Sequence, residues 1–360
     1  MKSVLAAALV GLVVAILCTP IAIKIARSKG LGQEIRGVLG KSHQAKRGTP
    51  TMGGVVIVIA TVLGYFVAHL LVANQPGRGP TVSGLLALFL LVGLGFIGFM
   101  DDFVKLFMKR NLGLNKTQKI VGQTVVAVVF GILALRFRNH AGLTPASTHL
   151  SFVRDIGLIS VGTVGFVVLA FFIISGFSNA VNLTDGLDGL CAGSSAMVLG
   201  AYVIITFYQF RNACGMPLAT TGCYQVRDPL DLTLVAAAAL GACFGFLWWN
   251  ANPAKIFMGD VGALPLGGLF AGLGIMTHTE LLLVIIAGLS VAELLSDVIQ
   301  IGAFKLYGKR PFKIAPLHHH FEFIGWAEAT ILTRFWIMSG IAVAIGLGIF
   351  YGEFISHGLS

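Results

Sequence analysis

Residues 177–190 read FSNAVNLTDGLDGL and lie between two long apolar runs. Asn179, Asn182, Asp185 and Asp188 fall inside this short stretch, and Gly186 and Gly189 follow the two aspartates. Carboxylates and amides this dense at the end of a membrane helix are costly unless water, metal or substrate meets them. The stretch therefore reads as the floor of a polar site at one face of a membrane, with spanning helices before and after it.

Composition supports that setting. The chain is 56% hydrophobic and only 11% charged, with mean hydropathy +0.88, whereas soluble domains carry about 25% charged residues. Helices and closed barrels are the two spanning solutions. Unbroken apolar runs near the ~20 residues a helix needs favour helices over the alternating pattern of a barrel. A net charge of +10 could suggest nucleic acid, but basic residues in membrane proteins mark the cytoplasmic side. No aromatic-interleaved basic domain stands apart from the apolar runs, so nucleic-acid binding is set aside.

Apolar runs fall near 4–23, 52–73, 82–100, 118–136, 158–177, 190–209, 230–249, 261–277, 281–303 and 331–351. The expectation is an all-α polytopic membrane protein of about ten transmembrane helices, a single catalytic domain over 1–360. The first run lacks a small-residue cleavage site and is followed by basic residues, so it reads as a retained helix. Lys24, Arg27, Lys29, Arg36, Lys41, Lys46 and Arg47 occupy one inter-helix loop. Lys105, Lys109, Arg110, Lys116 and Lys119 occupy another, and Lys305, Lys309, Arg310 and Lys313 a third. The opposite side carries only Lys2, Arg78, Arg136, Arg138, Arg154, Arg211 and Arg227. This asymmetry places both termini outside and the acidic motifs, with the active site, on the cytoplasmic face. Cys214 and Cys223 share an outer polar loop, where a disulfide and two free thiols are both open.

Five motifs carry the chemistry. In DDFVK, residues 101–105, Asp101 and Asp102 cannot share one helical face, so one can bind metal or act as base while the other orients a neighbour; the plain alternative is a solvated helix end. Asp185 and Asp188, three apart, would share a face with Asn182 if the turn is helical; helix capping would explain one aspartate but hardly the set. In NANPAKIFMGDVG, residues 250–262, Asp260 could merely cap a helix, but glycines at 259 and 262 allow a metal-bound diphosphate to approach. Phe257 in the same motif could stack on a base or simply pack. The histidines of PLHHHFE, residues 316–322, point in different directions, which suits phosphate or sugar contacts better than one metal. SHQAKRGTPTMGG, residues 42–54, combines basic residues with glycines opening a helix, a weak anion-site signal without Walker A spacing. Glu293, Asp297 and Gln300 form a polar stripe inside an apolar run, which is either helix–helix glue or a cavity wall.

The combination of TPTMGG (49–54), DDFVK (101–105), NLTDGLDGL (182–190), IFMGDVG (256–262) and APLHHHFE (315–322) resembles the polyprenyl-phosphate N-acetylhexosamine-1-phosphate transferases. The APLHHHFE run is similar to the branch that uses UDP-MurNAc-pentapeptide. The resemblance spans about residues 42–336 and is specific through the set of motifs rather than any one.

It implies a Mg2+-dependent enzyme of the bacterial cytoplasmic membrane, with ten helices and both termini outside. Phospho-MurNAc-pentapeptide would move from its UDP carrier to undecaprenyl phosphate, giving UMP and lipid I. Family members form homodimers. Carried over by motif, Asp260 is the chief Mg2+ ligand, with Asp102 sharing the metal, and Asp101 or Asp102 deprotonates or orients the lipid phosphate. Asn182, Asp185, Asp188 and Asn250 line the site around nucleotide and metal. Lys46 and Phe257 are uridine-side contacts, and Thr51 and Gln300 join the substrate-binding set. Lys105 and Lys119 neutralise diphosphate charge, Lys116 being a rival for the second place. His318 approaches phosphates or sugar, with His319 beside it. A UDP-GlcNAc-using sister enzyme, a prenyltransferase and a transporter are the alternatives. The His run, the absence of DDxxD spacing and the clustering of aspartates at one face count against them in turn.

Overall fold

A computed structural model describes residues 1–29, 48–71, 79–107, 113–214 and 222–358. In chain order the helices are α1 (Lys2–Ser28), α2 (Gly54–Leu70), α3 (Val82–Phe107), α4 (Lys116–Arg136), α5 (Gly162–Thr184), α6 (Leu190–Arg211), α7 (Pro229–Asn250), α8 (Asp260–Met276), α9 (Glu280–Ile286), α10 (Gly288–Tyr307), α11 (Leu317–Phe323) and α12 (Glu328–Gly358). An antiparallel hairpin, β1 (His149–Ser151) and β2 (Asp155–Ser160), separates α4 from α5.

Among the described residues, α1, α3, α4, α5, α6, α7 and α12 are the seven helices long and apolar enough to cross a membrane. Helices α9 and α10 form an eighth candidate, bent by 88°. At 17 residues each, α2 and α8 reach only about 25 Å, short of a ~30 Å hydrocarbon core. Each of the ten expected apolar runs contains a helix among its described residues, but seven or eight helices qualify as spans by length and composition. Two local readings need correction. The run beginning at 158 gives Leu158 and Ile159 to β2, where Leu158 is 97% exposed; α5 starts only at Gly162, whose φ of 66° turns the chain out of the extended run. The run at 281–303 is not one helix, because it breaks at Ala287–Gly288, where the glycine weakens helical continuity. Apolar content alone registers neither the strand nor the bend.

Helix α8 is the centre. Every residue from Val261 to Met276 is buried, as expected of a helix apolar on all sides. It packs against α3 and α5, while α7 lies between α1, α2 and α6. Small residues set these contacts. A side chain at Gly11 would strike the Ala238 carbonyl, and one at Gly241 the Ala8 carbonyl, so the backbones of α1 and α7 nearly touch. At Gly267 the same holds against the Phe177–Ser178 backbone, which fixes α5 on α8.

The bundle has two distinct ends. Helix α1 runs alongside α7 in the same direction, with Trp249 Nε1 donating to the Ile16 carbonyl at 3.0 Å. Near the other terminus, Arg154 of the hairpin pairs with Glu353 of α12 at 2.7 Å. The start of α1 and the last turns of α12 therefore lie at the hairpin end, opposite the start of α8. Arg154 also donates to the Gly222 and Cys223 carbonyls, each at 2.6 Å, and lies over the Tyr224 ring. Cys214 and Cys223 are joined as a disulfide in the same cluster.

Candidate active site

The site forms where α3, α5 and α7 end and α8 begins. Gly98 of α3 allows this: a side chain there would run into the carbonyl group of Asp260. One turn further along α3, Asp101 and Asp102 are consequently buried beside the N-terminus of α8. Asp102 Oδ2 accepts the Val261 backbone N–H at 3.1 Å, a favourable place for an anion because the first N–H groups of a helix lack internal partners. Asp101 diverges and accepts the Leu114 N–H at 2.9 Å. The two carboxylates do differ in partner, as their adjacency on α3 requires.

Two lysines close the cluster. Lys105 Nζ lies 2.5 Å from Asp101 Oδ2, 3.6 Å from Asp102 Oδ1 and 3.2 Å from Asp260 Oδ2. Lys119 Nζ, from α4, reaches Asp260 Oδ2 at 2.6 Å. Lys116, the sequence rival, is exposed. Oxygens of Asp101, Asp102 and Asp260 all lie within 4.8 Å of one another, the one such group among the described residues. That all three carboxylates meet needed the fold, because the contact depends on how α3 crosses α8. The donor set suits a hard divalent cation, and a cationic Nζ already sits among the three carboxylates.

The 185–189 turn forms the neighbouring wall. It is not helical: α5 stops at Thr184, and Gly189, at φ 79°, precedes α6. Asp185 and Asp188 nevertheless face one target, the 251–259 segment. Asp185 Oδ2 accepts the Gly259 N–H at 3.1 Å, and Asp188 Oδ2 the Ala254 N–H at 3.0 Å. Buried Asn250 accepts the Gly189 N–H at 3.1 Å and donates to the Ile256 carbonyl at 2.9 Å. Burial pushes the Asp185 carboxyl up to about 7, against the Gly259 N–H that favours its charged form. Asn182 stands one turn before Asp185, partly buried.

The 48–54 segment pairs with the same loop through Phe257 N–H to the Pro50 carbonyl at 2.8 Å and Gly53 N–H to the Phe257 carbonyl at 2.9 Å. Thr51 Oγ1 and Asp102 Oδ2 both crowd Gly259, whose φ is 75°. The Phe257 side chain is partly exposed at this edge. Lys46 lies outside the described residues.

The histidine run is helical, on α11. Its three imidazoles take three different partners: His318 Nδ1 meets Glu293 at 3.1 Å, His319 Nδ1 meets Glu322 at 2.6 Å, and His320 Nδ1 accepts the Lys313 N–H at 3.1 Å. Gln300 both donates to the Phe312 carbonyl and accepts its N–H, each at 3.1 Å. The polar stripe of α10 is thus the mount for the 312–320 segment. Sequence spacing showed that the stripe existed but not what it would hold.

Residues 84–278 match Glycosyl transferase family 4, and residues 46–58 match the phospho-N-acetylmuramoyl-pentapeptide-transferase signature 1. The chain is 59% identical over 358 residues to the phospho-N-acetylmuramoyl-pentapeptide-transferase of Frankia alni, covering 99% of each chain. The protein of the same name from Saccharopolyspora erythraea is 58% identical over 357 residues, 99% of this chain and 98% of its own. That from Mycobacterium leprae is 55% identical over 356 residues, 99% of each.

Proposed function

The chain belongs to the phospho-N-acetylmuramoyl-pentapeptide-transferases of glycosyl transferase family 4, and on that premise we propose that it transfers phospho-MurNAc-pentapeptide from UDP-MurNAc-pentapeptide to undecaprenyl phosphate, releasing UMP and forming lipid I. The bond that breaks joins the sugar-bearing phosphorus to the bridging oxygen, which leaves with UMP. The bond that forms joins the same phosphorus to an oxygen of the lipid phosphate. The observation that carries this reading is the Asp101–Asp102–Asp260 cluster, two of its carboxylates buried and the third partly so, with Lys105 and Lys119 upon it.

Asp260 and Asp102, with Asp101 beside them, would hold Mg2+. Bound there, the ion supplies Lewis-acid neutralisation of diphosphate charge. Lys105 and Lys119 offset further charge as phosphate meets diphosphate and UMP departs. A phosphate monoester has a second pKa near 6, so at neutral pH the lipid phosphate needs orientation more than deprotonation. Asp101, braced by Leu114 N–H and Lys105, is placed for that work. Asp185, Asp188, Asn182 and Asn250 shape the nucleotide wall, Thr51, Phe257 and Lys46 lie toward the uridine, and Gln300 and His319 support the sugar–peptide side. Ten spans, both termini outside, an active site on the cytoplasmic face of the bacterial inner membrane and a homodimer complete the reading.

The test is to incubate purified protein with undecaprenyl phosphate, Mg2+ and either UDP-MurNAc-pentapeptide or UDP-GlcNAc, then to measure UMP and the lipid product. Turnover confined to UDP-MurNAc-pentapeptide is expected. Turnover confined to UDP-GlcNAc would overturn the substrate and leave the family standing.

A further inference from the structure

Two buried polar atoms next to the site have no hydrogen-bond partner among the described residues: His318 Nε2 and Glu293 Oε2. Their residues are almost wholly enclosed, Glu293 at 0% and His318 at 1% exposure. Leu317 and Phe321 explain how the histidine arrives there. They pack against the apolar cluster of Leu187, Leu190, Leu289, Ile331 and Phe335, and this draws α11 inward with His318 on its buried face.

The remaining ring atoms have defined neighbours. His318 Nδ1 lies 3.1 Å from Glu293 Oε1. A carboxylate only accepts, so this contact places a proton on Nδ1, and the bond made by one ring nitrogen sets the role of the other. The opposite nitrogen, Nε2, is directed at Gly186. A methyl group on Gly186 would strike Nε2 and come within 2.7 Å of Cε1. Gly186 sits between Asp185 and Asp188, in the turn that walls the site. Helix α10 is fastened, one helical turn before Glu293, to the last residue of α5, which leads into that turn, through Thr184 Oγ1 to Ser290 Oγ at 3.1 Å. Leaving a buried nitrogen unpaired costs stability, and such atoms in native structures call for an explanation.

We infer that Glu293 is a positioning residue for His318. It holds the imidazole with its proton on Nδ1 and turns the Nε2 lone pair toward the Asp185–Asp188 turn. An acceptor nitrogen recognises a donor, so the group it takes is a hydroxyl or amide N–H of the sugar–peptide half of the nucleotide substrate, not a phosphate oxygen. The inference rests on the reaction assigned above and adds to it the tautomer, the positioning carboxylate and the chemistry of the contact.

The experiment combines UMP-release kinetics with 15N spectra of histidine-labelled protein in detergent. In the wild type, His318 is expected to show a protonated Nδ1 and an unprotonated Nε2 at neutral pH. Glu293→Gln is expected to lower kcat on the order of 100-fold while KM for the lipid stays within about twofold, and Glu293→Asp to recover part of the loss. Gly186→Ala keeps both polar groups but displaces the ring, and should match Glu293→Gln. The double variant Glu293→Gln/His318→Ala should be no slower than His318→Ala alone, because one unit is lost in both. Wild-type turnover by folded Glu293→Gln, multiplying losses in the double variant, or a protonated Nε2 in the wild type would each overturn the inference. If Glu293→Gln does not fold, the wild-type spectrum and Gly186→Ala decide. Wild-type protein inactive with UDP-MurNAc-pentapeptide would defeat the assigned reaction instead, and the imidazole spectrum would still decide the pairing.

Discussion

Gly98→Ala changes no charged group and removes no catalytic atom, yet it should disable the site. A methyl carbon at this position would fall on the carbonyl oxygen of Asp260, 2.5 Å from the carbonyl carbon and 2.7 Å from the Val261 nitrogen. Ordinary contact begins at 3.4 Å, so the start of α8 must recede by 0.7 Å to clear the Val261 nitrogen, by 0.9 Å to clear the carbonyl carbon, and by more again to clear the oxygen, which is nearer still. Helix α8 is buried along its length and has no solvent side into which to relax. Overpacking of this kind costs about 1–3 kcal/mol. The kinetic effect is larger, because Asp260 moves relative to Asp102 and Lys119, and a misplacement of about 1 Å can cost roughly 100-fold in rate. The assay is UMP release together with thermal unfolding in detergent, with Gly176→Ala as the comparison, since nothing lies within 4 Å of a side chain there. The expected result is a folded Gly98→Ala protein, modestly less stable and about 100-fold slower, beside an unimpaired Gly176→Ala. A Gly98→Ala enzyme with wild-type turnover would refute the claim that this glycine sets the carboxylate geometry.

Three further outcomes are expected. Lys119→Met removes the 2.6 Å partner of Asp260 and should slow UMP release by roughly 100-fold, whereas Lys116→Met, on an exposed side chain, should leave it near wild type; equal effects would reverse the choice between the two lysines. Chelation of divalent cations should stop turnover and added Mg2+ restore it, while Asp260→Ala should remain inactive at any Mg2+ concentration; wild-type-like UMP release by that variant, folded and at limiting Mg2+, would remove Asp260 from the metal site. At the hairpin end, burial would raise Asp155, but the hydrogen bond and charge of His278, 2.9 Å away, outweigh it and hold the carboxyl at about 2, while Asp155 raises His278 against the opposing pull of burial. A lowered acid stabilises above its unfolded pKa and a raised histidine below its own, so the pair contributes fully between about pH 4 and 6.5. That contribution fades as pH falls toward 2 and as it rises through the folded His278 value. Discounted for solvent it is worth about 1 kcal/mol, so wild-type Tm should drop from pH 6 to pH 8.5 by more than in His278→Asn, and identical drops would argue against the pair.

The acidic motifs were legible because a membrane makes each polar residue informative. Asp101, Asp102, Asp185, Asp188 and Asp260 stand out at the ends of apolar runs, and the structure gathers them into one region. Asp185 and Asp188 share a target, but through a turn ending at Gly189 rather than a helical face. The hairpin at 149–160 was missed because its apolar residues merge with the run that follows. The break at Ala287 was missed because a bend leaves hydropathy unchanged. Lys119 shares a helix face with Gln123, which favours it over Lys116, and the docking of α4 adds its contact with Asp260.

By itself the sequence determined that this is a helical membrane protein with its acidic and basic residues gathered at helix ends, because burial in an apolar run forces every retained charge to have a purpose. Tertiary structure decided which charges meet. Asp101 joins Asp102 and Asp260 because Gly98 lets α3 approach the first residue of α8, and His318 meets Glu293 because α11 is drawn inward by Leu317 and Phe321. Both contacts depend on interhelical distances of a few ångströms, set by small side chains on partners far apart in the chain. Local sequence pattern carries no record of them.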